Sequence, residues 1–202
     1  MFIEPSQKRE TQNPRTGWIE VICGSMFSGK TEELIRRLNR AKIARQKIQI
    51  FKPALDKRYH KENIVSHNDN SIASLPVSSA TEILDLAGNC EVVGLDEAQF
   101  FDEQIIAVCD QLANSGKRVI IAGLDMDYLG RPFGSVPQLT AIAEYVTKVH
   151  AICMVCGEVA SHSYRLSGSH ERFLIGETDL YEARCRRCFN LGEAVDRFID
   201  KN

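Results

Sequence analysis

Apolar residues follow two different periods along the chain as far as about His150. Short apolar runs that end at glycine, proline or acidic residues predict buried strands, and apolar residues at helical spacing predict helices. The predicted strands lie at 18–23, 47–53, 91–95 and 118–122. The predicted helices lie at 29–45, 80–87 and 102–114. Strands that alternate with helices favour an α/β fold, in which a parallel sheet carries helices on both faces.

The first predicted helix has one apolar side and one basic side. Its apolar positions are Leu34, Ile35, Leu38, Ala41 and Ile43. The positions between them carry Arg36, Arg37, Arg40 and Lys42. Charged residues that fill the gaps of an amphipathic helix usually face water, and we expect a solvated face here.

The two ends of the chain lack the alternating strand and helix patterns of the central part. Residues 1–17 are polar, contain Pro5 and Pro14, and lack the apolar middle of a secretory signal, so we expect a flexible tail. The α/β domain is then expected at 18–150. Paired cysteines and scattered glycines predict a small metal-binding lobe at 151–192. A last short helix is predicted over 192–199, and the C-terminal segment is assigned to 193–202.

The composition excludes some classes of function. The 202 residues carry 25 basic and 27 acidic side chains, which gives a formal net charge of −2. This balance lacks the basic excess of nucleic-acid-binding proteins, so we expect no nucleic-acid partner. The apolar runs are too short to cross a bilayer, so we expect no membrane span.

A phosphate-binding loop follows the first predicted strand. The residues Gly24, Ser25, Met26, Phe27, Ser28, Gly29, Lys30 and Thr31 fit the pattern G-x-x-x-x-G-K-[ST] between a strand and a helix. Glycines let the backbone wrap around phosphates, and the loop amides with the helix N-terminus attract the anion. We expect Lys30 to reach the β- and γ-phosphates of ATP and Thr31 to offer its hydroxyl to Mg²⁺.

Two acidic residues end the third predicted strand. Asp96 is the candidate for holding Mg²⁺ through water, and Glu97 is the candidate general base for an attacking hydroxyl. The alternative is a structural role, with Asp96 as a helix N-cap and Glu97 as a first-turn acid. A carboxylate that activates water looks the same in sequence, so Glu97 alone does not separate a kinase from an ATPase.

Four of the seven cysteines form two C-x-x-C pairs. The pairs are Cys153 with Cys156 and Cys185 with Cys188, and they predict a structural zinc site with four thiolate ligands. The intervening segment, 157–184, is then a long loop closed at its base. An iron–sulfur cluster or redox-active pairs are the alternatives. The other three cysteines lie in or beside apolar stretches, and we expect inert core thiols at Cys23, Cys90 and Cys109.

These motifs, taken in order, resemble those of the zinc-containing, tetrameric, cytosolic thymidine kinases. The resemblance covers about 17–192 and rests on 24–31, on Asp-Glu-Ala-Gln-Phe-Phe at 96–101, on the segment 123–134 and on the two cysteine pairs. It implies transfer of a phosphate from ATP, with Mg²⁺, to the 5′-hydroxyl of thymidine or deoxyuridine. It also implies a homotetramer and feedback inhibition by dTTP.

The resemblance further implies roles for individual residues. Glu97 falls on the family's base, and the family's nucleotide-binding positions fall on Asp56, Lys57, Arg58, Asp96, Glu97, Ala98 and Gln99. A substrate-covering loop that reads the base with main-chain groups falls, by spacing, on Arg172, Phe173, Leu174, Ile175 and Gly176. The pocket for sugar and base falls on Phe101, Tyr128 and Tyr181. Position 128 is tyrosine where phenylalanine is also common in the family.

Two other classes of function fit part of the pattern. A nucleoside monophosphate kinase with a zinc-braced lid also combines a phosphate loop with cysteines, but there the cysteines interrupt the middle of the chain. A P-loop ATPase with a nucleic-acid-binding zinc ribbon would place them as here, but the near-neutral charge counts against it.

Overall fold

A computed structural model of the protein describes residues 16–54, 63–65, 71–166 and 180–199, with backbone alone at 63–65, 71–72 and 193–199. The strands in these residues are β1 (Trp18–Cys23), β2 (Ile48–Pro53), β3 (Asn63–Val65), β4 (Ser71–Ala73), β5 (Leu75–Val77), β6 (Val92–Leu95), β7 (Arg118–Gly123), β8 (Tyr145–Lys148), β9 (Ala151–Ile152), β10 (Val159–Ala160), β11 (His162–Arg165) and β12 (Tyr181–Arg184). The α-helices are α1 (Lys30–Ile43), α2 (Glu82–Leu86), α3 (Ile105–Asn114), α4 (Val136–Ile142) and α5 (Arg186–Ile199).

The main sheet has six strands in the order β5-β2-β6-β7-β1-β8, and every neighbouring pair is parallel. The four predicted strands are its four central members. The two strands that the pattern missed, β5 and β8, are its edges. Most side chains of β8 are exposed, and in β5 only Val77 is buried, so neither carries the apolar run that marks a central strand.

Helices cover both faces of the sheet, which confirms the predicted α/β fold class. On one face, Leu34 and Leu38 of α1 pack on the central strands, and Leu38 approaches so closely that a Cβ on Gly94 would lie 3.0 Å from its Cδ1. On the other face, α2, α3 and α4 contribute to the larger apolar cluster. The pattern missed α4, a seven-residue helix.

One predicted solvated residue is buried, and that prediction was wrong. Arg36, Arg40 and Lys42 are exposed as expected, but Arg37 is fully buried. Its Nη1 donates to the buried carboxylate of Glu20 at 2.9 Å, and Arg118 Nε donates to the same carboxylate at 2.7 Å. A buried carboxylate needs such partners, so Glu20 on β1 draws Arg37 inward and fixes α1 on the sheet.

The residues after β8 form a separate small lobe with its own core of Ala151, Cys153, Ala160, Ala183 and Cys188. Two antiparallel ribbons, β9–β10 and β11–β12, carry it, and α5 closes it.

The last helix begins at Arg186, not at residue 192 as predicted. Glycine usually weakens a helix interior, which is why Gly192 read as a boundary. Inside α5 it makes room instead, because a Cβ there would lie 2.1 Å from Arg184 Nη1 and 2.7 Å from the Tyr164 ring.

Candidate active site

The phosphate-binding loop crosses from β1 to α1, as the motif predicts. Gly24 and Gly29 have positive φ angles of 149° and 83°, which disfavour any side chain. A Cβ on Gly24 would also lie 2.2 Å from the Val149 carbonyl oxygen. Both glycines are therefore required by the path of the backbone around the loop.

The loop is held from inside and from the C-terminal lobe. Ser28 Oγ and Lys30 Nζ both donate to the Ser25 carbonyl oxygen at 2.7 Å. The Met26 amide donates to Ser163 Oγ of β11 at 2.9 Å. Sequence reasoning missed Ser163, because nothing in the pattern indicates a contact between residues so far apart in the chain.

The Lys30 ammonium group interacts electrostatically with several carboxylates. Burial lowers the pKa of its ammonium group, and the negative charges of Glu97 and Asp96 oppose that shift. A third carboxylate, that of Asp125, acts in the same direction. The parallel register of β1, β6 and β7 brings the ends of β6 and β7 and the start of the phosphate loop to the same edge of the sheet.

The geometry around Glu97 differs from a helix cap. A 3-10 helix begins at Ala98, and neither acidic side chain caps it; Asp96 Oδ1 accepts the amide of Glu97 at 3.0 Å. Glu97 itself has a left-handed backbone, with φ 52° and ψ 43°, which a non-glycine residue adopts at a cost.

Gln99 holds the Glu97 side chain. Its Nε2 donates to Glu97 Oε2 at 2.5 Å, and its Oε1 accepts the amide of Leu124 at 2.9 Å. The amide side chain is buried and bridges the ends of β6 and β7. One oxygen of the Glu97 carboxylate is thereby fixed in position.

Asp125 is an acidic residue at the same edge of the sheet to which the sequence analysis gave no role. Its Oδ2 lies 2.6 Å from Lys148 Nζ. Its Oδ1 is buried without a hydrogen-bond partner among the residues described. The signal that could have found it is its position just after β7, a parallel strand next to the one that leads into the phosphate loop.

Two of the predicted pocket aromatics meet around a residue that was not predicted. The Arg165 guanidinium lies 3.5 Å from the centre of the Tyr128 ring. Arg165 also donates to the Tyr181 hydroxyl from Nε at 3.1 Å and from Nη2 at 2.8 Å. Phe101 lies apart from these contacts, in the large apolar cluster under the sheet.

Two groups of predicted site residues lie outside the described part of the chain. They are Asp56, Lys57 and Arg58, and Arg172, Phe173, Leu174, Ile175 and Gly176. Their roles stay predictions.

The two cysteine pairs come together. The sulfurs of Cys153, Cys156, Cys185 and Cys188 all lie within 4.8 Å of one another, and those of Cys156 and Cys185 are 3.7 Å apart. Four thiolates at about 2.3 Å from a zinc ion lie about 3.8 Å apart, so the cluster has the right size for zinc. The remaining thiols behave as core residues, since burial raises the pKa of Cys23, Cys90 and Cys109.

The strand, the glycine-flanked loop and the carboxylates at the ends of neighbouring parallel strands place the chain in the class of P-loop nucleotide-binding proteins. The model of the thymidine kinase family matches residues 17–189. The chain belongs to that family.

Curated relatives agree with the family match. A thymidine kinase from Rhodothermus sp. (strain ITI 518) is 62% identical over 173 residues, which cover 86% of this chain and 81% of that protein. One from Bacteroides thetaiotaomicron is 59% identical over 184 residues, covering 91% and 92%. One from Bacteroides fragilis is 56% identical over 192 residues, covering 95% and 96%. Among the described residues, no helix is both long and apolar enough to cross a membrane.

Proposed function

We propose that the protein transfers the γ-phosphate of ATP to the 5′-hydroxyl of thymidine or deoxyuridine, and so supplies dTMP for DNA precursor salvage. The family match supports thymidine as the acceptor. The observation that supports the chemistry is the Glu97 carboxylate, which Gln99 holds between the ends of β6 and β7 at the edge of the sheet where the phosphate loop begins.

Each end of the transfer has a matching group. Lys30 and the loop amides bind the phosphates and stabilise charge on the transferring group. Glu97 accepts the proton of the 5′-hydroxyl as the oxygen–phosphorus bond forms, and ADP leaves with the electrons of the broken bond. Gln99 holds one oxygen of the Glu97 carboxylate, and we assign the other oxygen to the proton of the 5′-hydroxyl.

The residues present fit Mg²⁺. The hydroxyl of Thr31 and the carboxylate of Asp96, which is buried at the end of β6, are hard oxygen donors of the kind that Mg²⁺ takes. Bound with ATP, the ion neutralises charge on the β- and γ-phosphates. Holding that ion is the role we assign to Thr31 and Asp96.

The nucleoside side is assigned to Tyr128 and Tyr181 and to the main chain of 172–176, while Phe101 keeps only the role that the family resemblance implies, since it lies in the large apolar cluster. Main-chain donors and acceptors tell thymine from cytosine, because the wrong base leaves buried groups unpaired. We expect a strong preference for thymidine and deoxyuridine over deoxycytidine. The zinc ion is structural in this scheme, since four cysteines fill its coordination sphere.

We also propose a cytoplasmic homotetramer that dTTP inhibits and that has no nucleic-acid partner. Assembly is supported by β8, an open edge strand with Tyr145 and Val146 exposed. Ile152 and Val159, paired in the β9–β10 ribbon, are exposed beyond it. An open edge with apolar side chains is a surface that proteins usually cover.

A phosphorylation assay with purified protein, ATP and Mg²⁺ tests the function. Thymidine, AMP and single-stranded DNA are supplied in parallel reactions, and products and ADP are measured. Formation of dTMP with thymidine alone supports the proposal. Phosphorylation of AMP would point to a nucleoside monophosphate kinase, and ATP hydrolysis stimulated only by DNA would point to an ATPase.

A further inference from the structure

The β11–β12 ribbon has two faces with different partners. Residues directly opposite in an antiparallel pair share a face, and Arg165 is opposite Tyr181 while Ser163 is opposite Ala183. The face that carries Ser163 and Arg165 therefore points toward the phosphate loop and Tyr128. The other face carries Tyr164 and Arg184, with Gly192 of α5 beside them.

Arg165 is a buried cation, with 7% of its surface exposed. A charge removed from water needs compensation. Two of its partners are aromatic residues of the predicted nucleoside pocket: the face of Tyr128 at 3.5 Å, and Tyr181 through its hydroxyl and, at 5.4 Å, its ring.

The geometry uses properties that only arginine has. A planar guanidinium stacks on one ring while its in-plane N–H groups donate sideways to a second residue. Here the plane covers Tyr128, and Nε and Nη2 converge on the Tyr181 hydroxyl. A lysine ammonium group keeps the charge but cannot form the stack and the paired hydrogen bonds at once.

We propose that Arg165 is a positioning residue for the nucleoside, and that it acts by locking Tyr128 and Tyr181 into one rigid wall of the pocket. The inference rests on the proposed function. Tyr128 lies in the loop after β7 and Tyr181 begins β12, so the wall joins the nucleotide-binding domain to the lobe. Arg165 fixes the distance between them before the nucleoside arrives, which lowers the cost of ordering the site.

The other face of the ribbon supplies a matched control. Arg184 stacks on Tyr164 at 3.3 Å, nearly the same arrangement, on the face of the ribbon opposite that of Arg165 and Tyr181. Arg184→Lys therefore removes a comparable stack from the same ribbon without touching the proposed wall.

The test measures steady-state kinetics of the full-length zinc-containing protein with both substrates varied. We expect Arg165→Lys to raise the KM for thymidine about tenfold, as the loss of a buried stack and a hydrogen bond implies, with the KM for ATP within about twofold. Arg184→Lys should leave the KM for thymidine within about twofold. Zinc content and melting temperature are measured for each variant.

Tyr181→Phe removes only the hydroxyl and decides the matter if Arg165→Lys does not fold. On its own it should raise the KM for thymidine severalfold and leave the KM for ATP within about twofold, because it breaks the hydrogen bonds between Arg165 and Tyr181. Where Arg165→Lys folds, Tyr181→Phe should add little in that background, because the paired hydrogen bonds are already lost there. Equal rises in both KM values, an Arg165→Lys that matches Arg184→Lys, or fully additive effects would overturn the positioning role. A wild type that turns over ATP without phosphorylating thymidine would overturn the proposed function, and this inference with it.

Discussion

The phosphate-binding half and the nucleoside-binding half of the site are built in different ways. In the proposed assignment, the phosphate half is eight consecutive residues whose backbone would bind the phosphates, plus carboxylates at the ends of adjacent strands. The proposed nucleoside half gathers side chains from the loop after β7, from β11 and from β12. The loop needs particular residues at fixed spacing, because its backbone follows a set path. The side chains of the nucleoside half need no fixed spacing in the sequence, because the fold brings their separate elements together.

The difference predicts that the two halves fail differently when changed. Damage to the phosphate half should lower kcat, because its groups act on the transferring phosphate. Damage to the nucleoside half should raise the KM for thymidine, because its groups bind and orient.

The largest effect is expected at the base. Glu97→Gln should lower kcat by about 10²–10⁴-fold, since an amide of the same shape cannot take up the proton. ATP binding, measured by calorimetry, should be retained. Gln99→Glu is a useful companion, since it places a second negative charge against Glu97 and should also impair kcat. Activity of Glu97→Gln within a few-fold of wild type would remove Glu97 from the role of base.

The second largest loss of kcat is expected from a change in the phosphate loop. Lys30→Ala should lower kcat by about 10²–10³-fold, because one positive charge facing the transferring group is lost. The control is Lys42→Ala, which removes an exposed charge from the same helix and should have no measurable effect. An active Lys30→Ala protein would show that the loop does not bind the phosphates.

Loss of zinc should affect the nucleoside half of the site more than the phosphate half. Cys185→Ser should reduce the metal from about one zinc per chain and lower the melting temperature of the lobe. The KM for thymidine should rise more than the KM for ATP, because β11 and β12 belong to the lobe. Metal analysis and both KM values check this. Iron in freshly purified protein would contradict the zinc assignment.

The smallest change in kinetics is expected at the contact between the phosphate loop and the C-terminal lobe. Ser163→Ala removes the acceptor of the Met26 amide and should raise the KM for ATP severalfold, as expected for one lost hydrogen bond. Ser163→Thr keeps the hydroxyl and is the matched control. If alanine and threonine behave alike in kinetics with ATP, the bond between lobe and loop has no role in phosphate binding.

The same contrast explains what could be predicted from sequence. The central strands, the loop and the cysteine cluster follow from local patterns, and the structure bears them out. The edge strand β8 was missed because its exposed residues leave no apolar run, and Arg37 was misread because its partner, Glu20, lies on another element. Arg165 and Ser163 could not be predicted, since each matters only through residues that the fold brings near.

The buried set of Glu20, Arg37 and Arg118 has a consequence for how this sequence can change over time. Replacing Glu20 alone removes the buried carboxylate that both guanidinium groups share, a loss of about 3–5 kcal/mol, whereas replacing Arg118 leaves Glu20 paired with Arg37. Replacing all three with apolar residues of similar volume can be neutral or stabilising. Comparing the free energy of unfolding of Glu20→Gln with that of an all-apolar triple variant would measure this asymmetry. Single mutations should therefore preserve Glu20 even if the whole set contributes little to the net free energy of unfolding, because the route to an apolar replacement passes through the costly loss of that carboxylate.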